Sequence, residues 1–391
     1  MKTDPPSIRP TRAFAPRGER SLKPQGIGAL EQRPRANGPI LRVSGGADDE
    51  PEPAAPLTDA WLRALCIDLM GRPPLPKERA EWLGRQRKEF ITAVLQTEEC
   101  WAHWLREQLY YFMLIDQFRP VKTSLDEIPA LLADRTITAR YALHRIGLSS
   151  SFDQRNPGAD TFVTVVMEQF CGIEVQRATR ELELGKTAYD GSPGLFLGSM
   201  ANNQSDVVRI AVRHKDAARH LLEREHLRLC RAALPRKARG KLTRKLHESP
   251  ELFFELFEEW LHSEPYAARV EEGAPVENHV WVRMVFLDLS GKLPSSGDVE
   301  ALRSALDGLG DPAPLRSAIV RMLLSSEGTR APALSELKAV GNWVDGLFAR
   351  LLGRAPSPQE RTAFIAAAKA GDTGPETVLY TLMTSSEYDN P

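Results

Sequence analysis

The sequence predicts an all-α protein in which repeated three-helix units pack with a unique central helical region. Three observations carry this reading. Apolar residues recur at helical spacing through most of the chain, a Trp-to-Gly spacing of ten residues occurs three times, and no stretch shows strong strand-like alternation. At 391 residues, 42% of them hydrophobic, the chain is long enough for several domains that bury a real core.

Residues 1–57 are rich in Pro, Gly, Ala and Arg and end in the acidic, proline-studded run from Asp48 to Pro56. So little apolar surface cannot offset the entropy of ordering, and the stretch reads as a disordered basic arm. From Met1 to Gly46 it holds nine Lys or Arg against Asp4, Glu19 and Glu31.

The units emerge when the remaining chain is compared with itself. Trp61 and Gly71, Trp281 and Gly291, and Trp343 and Gly353 are each ten residues apart, with an apolar stripe at helical spacing between them. The glycine suits the left-handed position that ends a helix, and Pro73, Pro294 and Pro356 keep the helix from resuming. Second helices open at Pro76 with Glu78, at Ser295 with Asp298, and at the capping box Ser357-Pro358 with Glu360. Third helices carry paired hydrophobics before a polar stop, as in Phe90-Ile91 with Val94-Leu95, Ile319-Val320 with Leu323-Leu324, and Val378-Leu379 with Leu382-Met383. Leu256-Phe257 with Trp260-Leu261 marks a fourth copy, whose first helix is expected over His226 to Leu234 with Pro235 standing in for the glycine.

The units therefore occupy 58–104, 224–270, 278–330 and 340–391, around a unique helical region at 105–223. Such periods imply stacked units, each too small to bury its own apolar face. Trp61, Trp281 and Trp343 are expected to be buried in equivalent places.

The core Ile67-Asp68-Leu69-Met70-Gly71-Arg72-Pro73-Pro74, echoed at Leu287-Asp288-Leu289-Ser290-Gly291-Lys292-Leu293-Pro294, resembles the opening of a domain of unknown function. That domain is found beside c-type cytochrome modules in planctomycete-type surface proteins. In that family a segment like Phe162 to Gln176 leads into a CxxCH-like stretch; here Arg177 to Glu181 contains neither Cys nor His, which removes the element implying redox chemistry. Leu351-Leu352-Gly353-Arg354-Ala355-Pro356, Glu360 and Ser385-Ser386-Glu387-Tyr388 are similar to small helical repeat modules of secreted bacterial proteins, distantly like phycobilisome linkers. Many members of these families are exported. Here no stretch approaches the ~18 apolar residues of a membrane span, and no apolar block near the start fits a signal core, so the sequence predicts a cytoplasmic protein without membrane insertion.

Chemistry is sparse. There is no HExxH, P-loop, GxSxG or EF-hand loop, and no GxGxxG following a strand, so no catalytic, cofactor-binding or metal residues are assigned. Cys66, Cys100, Cys171 and Cys230 are far apart and read as free thiols in a reducing compartment. His214, His220 and His226 recur every six residues and face different ways; Cys100 and His103 share a helix face but make at most half of a zinc site. Glu98, Glu99, Glu264, Glu327 and Glu387, near the unit ends, read as solvated turn residues. The net charge of −1 gives no overall pull toward phosphates, yet the run from Arg219 to Lys245 carries ten Lys or Arg against two Glu.

The interaction surface expected from that run comprises Arg228, Arg231, Arg236, Lys237, Arg239, Lys241, Arg244 and Lys245. The leading functional expectation is a non-enzymatic interaction or scaffold protein that binds another protein. The alternative is a nucleic-acid-associated protein using the arm and this run, although the run lacks aromatic residues for base stacking. An enzyme with a site in 105–223, drawing on Glu168, Glu174, Glu181 and Asp190, is the third reading.

Overall fold

The computed structural model describes residues 56–113, 125–326, 331–371 and 373–391. The basic arm lies outside the described residues up to 55. At its expected end, however, Leu57 is 1% exposed and belongs to the core, and Pro56 pairs with Gln86. Folded structure therefore starts before residue 58.

Helix α1 (Asp59–Met70) begins where the Thr58 hydroxyl accepts the Trp61 N–H and ends at Gly71, whose φ of 66° is the left-handed conformation foreseen for it. It is followed by α2 (Pro76–Trp82), α3 (Arg87–Val94) and α4 (Glu98–Met113). The central region holds α5 (Ile128–Ala133), α6 (Ala139–Gly147), α7 (Ser150–Arg155), α8 (Ala159–Val165), α9 (Thr179–Tyr189) and α10 (Gln204–Arg213). A π turn at Val166–Phe170 prolongs α8. Strands β1 (Gly194–Phe196) and β2 (Ser199–Ala201) form a small antiparallel hairpin, turned by Leu197 and Gly198 at positive φ.

After them come α11 (Lys215–Cys230), α12 (Arg236–Glu248), α13 (Leu252–Leu261) and α14 (Glu264–Glu272). The chain continues through α15 (Asn278–Ser290), α16 (Ser296–Asp307) and α17 (Ala313–Leu324), then α18 (Val340–Leu352), α19 (Pro358–Ala368) and α20 (Gly374–Met383). The protein is all-α, with only that hairpin among the described residues.

Two expected boundaries fall inside helices. α4 runs across 104/105, and α11 runs across 223/224 and stops at Arg231 rather than at Pro235. Arg231 takes the left-handed position at φ 51°, a conformation that costs a side-chain-bearing residue roughly 1–2 kcal/mol. The glycine cue is absent there because the backbone accepts that strain. Trp61 and Trp281 are buried under the guanidinium groups of Arg87 and Arg316, whereas Trp343 is only partly buried.

Two apolar cores hold the described residues together. One gathers side chains from Leu57 to Val270; the other gathers those from Val280 to Tyr388 and takes in Ile67. Helix α1 serves both, with Leu62, Leu65 and Leu69 in the first and Ile67 in the second.

Polar contacts repeat with the helices. In the first core Asp68 of α1 accepts from the Tyr266 hydroxyl (2.8 Å) and Arg269 (2.7 Å), and its carbonyl accepts from Arg228 (3.4 Å). In the second, Asp288 of α15 accepts from the Tyr388 hydroxyl (2.9 Å) and Arg63 (2.9 Å), and its carbonyl accepts from Arg350 (2.9 Å). Each aspartate stands three residues before the left-handed glycine of its helix. Burial and the adjacent carboxylate push both phenols well above the ordinary tyrosine value, so they remain donors.

A second recurring device follows the glycines. Arg72 bonds Glu78 through both Nη atoms (2.7 Å each) and Glu99 through Nε and Nη2 (2.6 and 2.8 Å). Arg354 makes the same two-carboxylate grip on Glu360 and Glu387, and in both places the first glutamate also accepts the N–H that opens the next helix. Glu99 and Glu387 are thus partners of an arginine rather than merely solvated turn residues. Arg72 is buried, while Arg354 is partly exposed and correspondingly contributes less.

His220 on α11 receives or donates a 2.9 Å bond with the Tyr111 hydroxyl, and its ring lies over Gly172, where a β-carbon would come within 2.7 Å of Nδ1. Burial, reinforced by Arg224 and Arg219, pulls this imidazole down to about 4. Because the unfolded chain takes up the proton near pH 6.5, the contribution of His220 is complete above that value and lost as pH falls toward 4. We expect the unfolding free energy of the wild type to fall across that window and that of the His220→Gln variant to fall less, the difference reaching about 3 kcal/mol near pH 4. Parallel pH profiles for the two proteins would contradict this.

Candidate functional site

Two places combine charge with an arrangement that packing alone does not require. The first is α12. Its inward side carries Leu242, Thr243 and Leu246, while Arg236, Lys237, Lys241, Arg244 and Lys245 are exposed. At 100° per residue these five occupy one half of the helix, over about 13 Å of its length. None of the five makes an ion pair among the described residues. Arg236 and Lys237 also sit in the first turn, which has no acidic residue and whose cap, Pro235, provides no side-chain bond. Cations there oppose the helix dipole, at roughly 0.3–1 kcal/mol each.

The other expected surface residues divide. Arg231 is exposed beside the stripe. Arg239 pairs with Glu223 at 2.8 Å. Arg228 does not belong to the surface: it bonds Glu225 at 3.0 Å, reaches the Asp68 carbonyl and lies over Phe257, with 23% of its side chain exposed. Helix α11 turns it inward because Glu225, 1% exposed, needs a cationic partner. Burial alone would oppose ionisation of Glu225, but Arg228 and Arg224 hold its carboxyl below the usual range.

The second place is the seam where α4 meets α15. His103 and Glu107, one turn apart on α4, converge with His279 of α15, and one ligand atom from each lies within 4.8 Å of the others. His279 Nε2 is 3.3 Å from Glu107 Oε1, within ion-pair range but without hydrogen-bond alignment. Both histidines are buried, and among the described residues His103 Nδ1 and both His279 nitrogens have no aligned hydrogen-bond partner. Burial pushes His103 well below the ordinary histidine value. Burial opposes ionisation of Glu107, yet the nearby rings of His279 and His103 and the charge of Arg228 hold it well below the carboxylate range.

Beside these three, a cleft of about 270 Å³ is lined by Arg106 and Arg283, among others. Burial lowers both guanidinium groups, reinforced by Arg303 at Arg106 and by Arg106 at Arg283, the latter to about 10. The Cys100 and His103 pairing considered from sequence is not the group that forms. Burial drives the Cys100 thiol up to about 12, and His103 is grouped instead with Glu107 on its own helix and His279 on α15. That convergence was invisible in sequence because His279 lies far from α4 along the chain.

The carboxylates of the central region do not assemble. Glu168 and Glu181 accept backbone N–H groups of Val175 and Leu197, Glu174 pairs with Arg177 on the surface, and Asp190 is exposed at the end of α9. All four cysteines are free and buried, and no described helix is long and apolar enough to cross a membrane. Searches of protein-family models, curated proteins and solved structures return no match to this chain.

Proposed function

We propose that this protein is a non-enzymatic interaction protein whose α12 stripe docks an acidic segment of a protein partner. The observation that carries the reading is the set of five exposed, unpaired cations on one half of α12, two of them placed against the helix dipole. Exposed positions that break a local stability rule are where function is expected. A short stripe at a helix N-terminus suits a carboxylate-bearing segment, which supplies both the missing counter-charge and the missing first-turn acid.

A protein partner fits better than a duplex. With the whole chain at −1 and the run Arg219 to Lys245 at +8, the rest of the chain carries −9, which disfavours any anion that extends beyond the stripe and so an extended duplex more than a short acidic segment. Leu227, 46% exposed and one helical turn before Arg231, adds an apolar contact that phosphates do not use. The resemblance to linker-like helical modules agrees with a scaffold role, and four free thiols suit a cytoplasmic, reducing setting.

Fluorescence polarisation with a labelled poly-glutamate peptide tests the proposal. Reversal of Arg236, Lys237, Lys241 and Arg244 to Glu should weaken binding by about tenfold or more, ~1.4 kcal/mol, and flatten its salt dependence. Arg239 is left in place because it holds Glu223. A generic duplex should bind no more tightly than about 10⁻⁴ to 10⁻⁶ M at physiological salt. Submicromolar duplex binding that survives about 0.2 M salt, where contacts made chiefly to phosphates weaken steeply, would replace the protein partner with nucleic acid.

A further inference from the structure

We propose that His103, Glu107 and His279 bind one divalent transition-metal ion of the zinc class, at the seam between α4 and α15. The set contains two imidazoles and one carboxylate, the composition of metal sites that keep a coordination position open rather than of closed structural sites.

Two features of the seam point to an ion. His103 and Glu107 project from one face of α4 toward the same ring of α15, so two packed helices supply all three ligands. Among the described residues the buried ring nitrogens His103 Nδ1 and His279 Nδ1 have no hydrogen-bond partner, and His279 Nε2 meets only the misaligned Glu107 carboxylate at 3.3 Å; an unpaired buried polar atom costs about 1–3 kcal/mol, and coordination through one nitrogen of each ring would relieve part of that cost.

The geometry is close to closing. Metal–ligand bonds of 2.0–2.2 Å place ligand atoms roughly 3–3.5 Å apart, so the Glu107–His279 contact at 3.3 Å already fits, and because all three ligand atoms lie within 4.8 Å of one another no edge needs to contract by more than roughly 1.5 Å. Side-chain rotation supplies such a change. The His103 ring is backed by Gly71, where a β-carbon would come within 2.6 Å of Nδ1, so glycine is needed there both for its left-handed φ and to leave the ring its place. Arg106, Arg228 and Arg283 stand near the seam and oppose added positive charge, which restrains affinity and favours an anion or hydroxide at the open position.

The test uses the tag-free full chain, stripped with EDTA and titrated first with Co²⁺ and then with Zn²⁺. One ion per chain is expected, with a visible cobalt absorption typical of nitrogen and oxygen ligands, no thiolate charge-transfer band, and a raised melting temperature that EDTA reverses. His103→Ala, His279→Ala and Glu107→Gln should each weaken binding by at least the roughly 10–100-fold that loss of a supporting contact costs, and Cys100→Ser should leave it unchanged. If an alanine variant does not fold, the wild-type cobalt complex decides through its paramagnetically shifted imidazole resonances, which should come from two histidines. Absence of stoichiometric binding, a thiolate band, or unchanged binding in the folded His103→Ala/His279→Ala double variant would overturn the assignment.

Discussion

Replacing Arg63 by alanine is expected to destabilise the protein by about 3–5 kcal/mol, the cost of leaving a buried charge without its partner. Arg63 is 3% exposed and Asp288 6%, and the pair joins α1 to α15 across 225 residues of sequence. Arg63 also donates to the Arg350 carbonyl at 3.1 Å, so the same side chain ties α1 to α18. Loss of the guanidinium leaves the buried Asp288 carboxylate with the Tyr388 hydroxyl as its one remaining side-chain hydrogen bond among the described residues, while Arg350 stays on its backbone carbonyl. The effect should register as a clear drop in the denaturant midpoint. The double variant Arg63→Met/Asp288→Leu should recover much of that loss, because a buried ion pair replaced by apolar groups of similar volume is often neutral or better. A change below about 1 kcal/mol, the range of exposed ion pairs, would mean that α1 is not held to the second core through this pair.

The glycines that end the long helices should differ sharply on substitution, although their sequence contexts look alike. Gly291 has φ 68° and open space where a β-carbon would stand, so Gly291→Ala should cost about 1–2 kcal/mol for backbone conformation alone. Gly353 has φ 70°, but its β-carbon would lie 2.7 Å from the Ala60 Cα, on backbone that cannot swing aside. Gly353→Ala should therefore add about 1–3 kcal/mol of overpacking to the same backbone cost. Equal losses in the two variants, measured by chemical denaturation, would show that α18 does not approach α1 so closely.

How much could be read from the sequence depended on whether the deciding interaction was local. Gly71, Gly291 and Gly353 end their helices as expected because left-handed backbone is a local demand that glycine meets most cheaply. The capping box at Ser357 and Glu360 was legible for the same reason. Arg231 was not legible, since a strained arginine leaves no mark in sequence, and so the expected end of α11 slid to Pro235. The continuity of α4 and α11 across expected boundaries was missed because repeat matching places edges where similarity fades, not where hydrogen bonding stops.

Charged partners were the least legible. Arg72 with Glu78 and Glu99, and Arg354 with Glu360 and Glu387, shared one readable signal, the arginine after the glycine with a glutamate six residues on. Arg63 with Asp288, and His279 with Glu107, had none, because helix packing alone brings them together. For α12 the sequence showed a basic run, and the fold then sorted it. Arg228 turned to the buried Glu225 and Arg239 to the partly exposed Glu223, leaving five cations on the outer half of α12.

That outer half is the central functional claim, and hydrogen–deuterium exchange tests it most directly. The full chain is compared with and without saturating poly-glutamate peptide. Slower exchange is predicted across Arg236–Glu248 and in the turn from Arg231 to Pro235, and the protection should disappear in the variant with Arg236, Lys237, Lys241 and Arg244 reversed to Glu. Unchanged exchange in α12, or protection centred on another surface, would contradict the account.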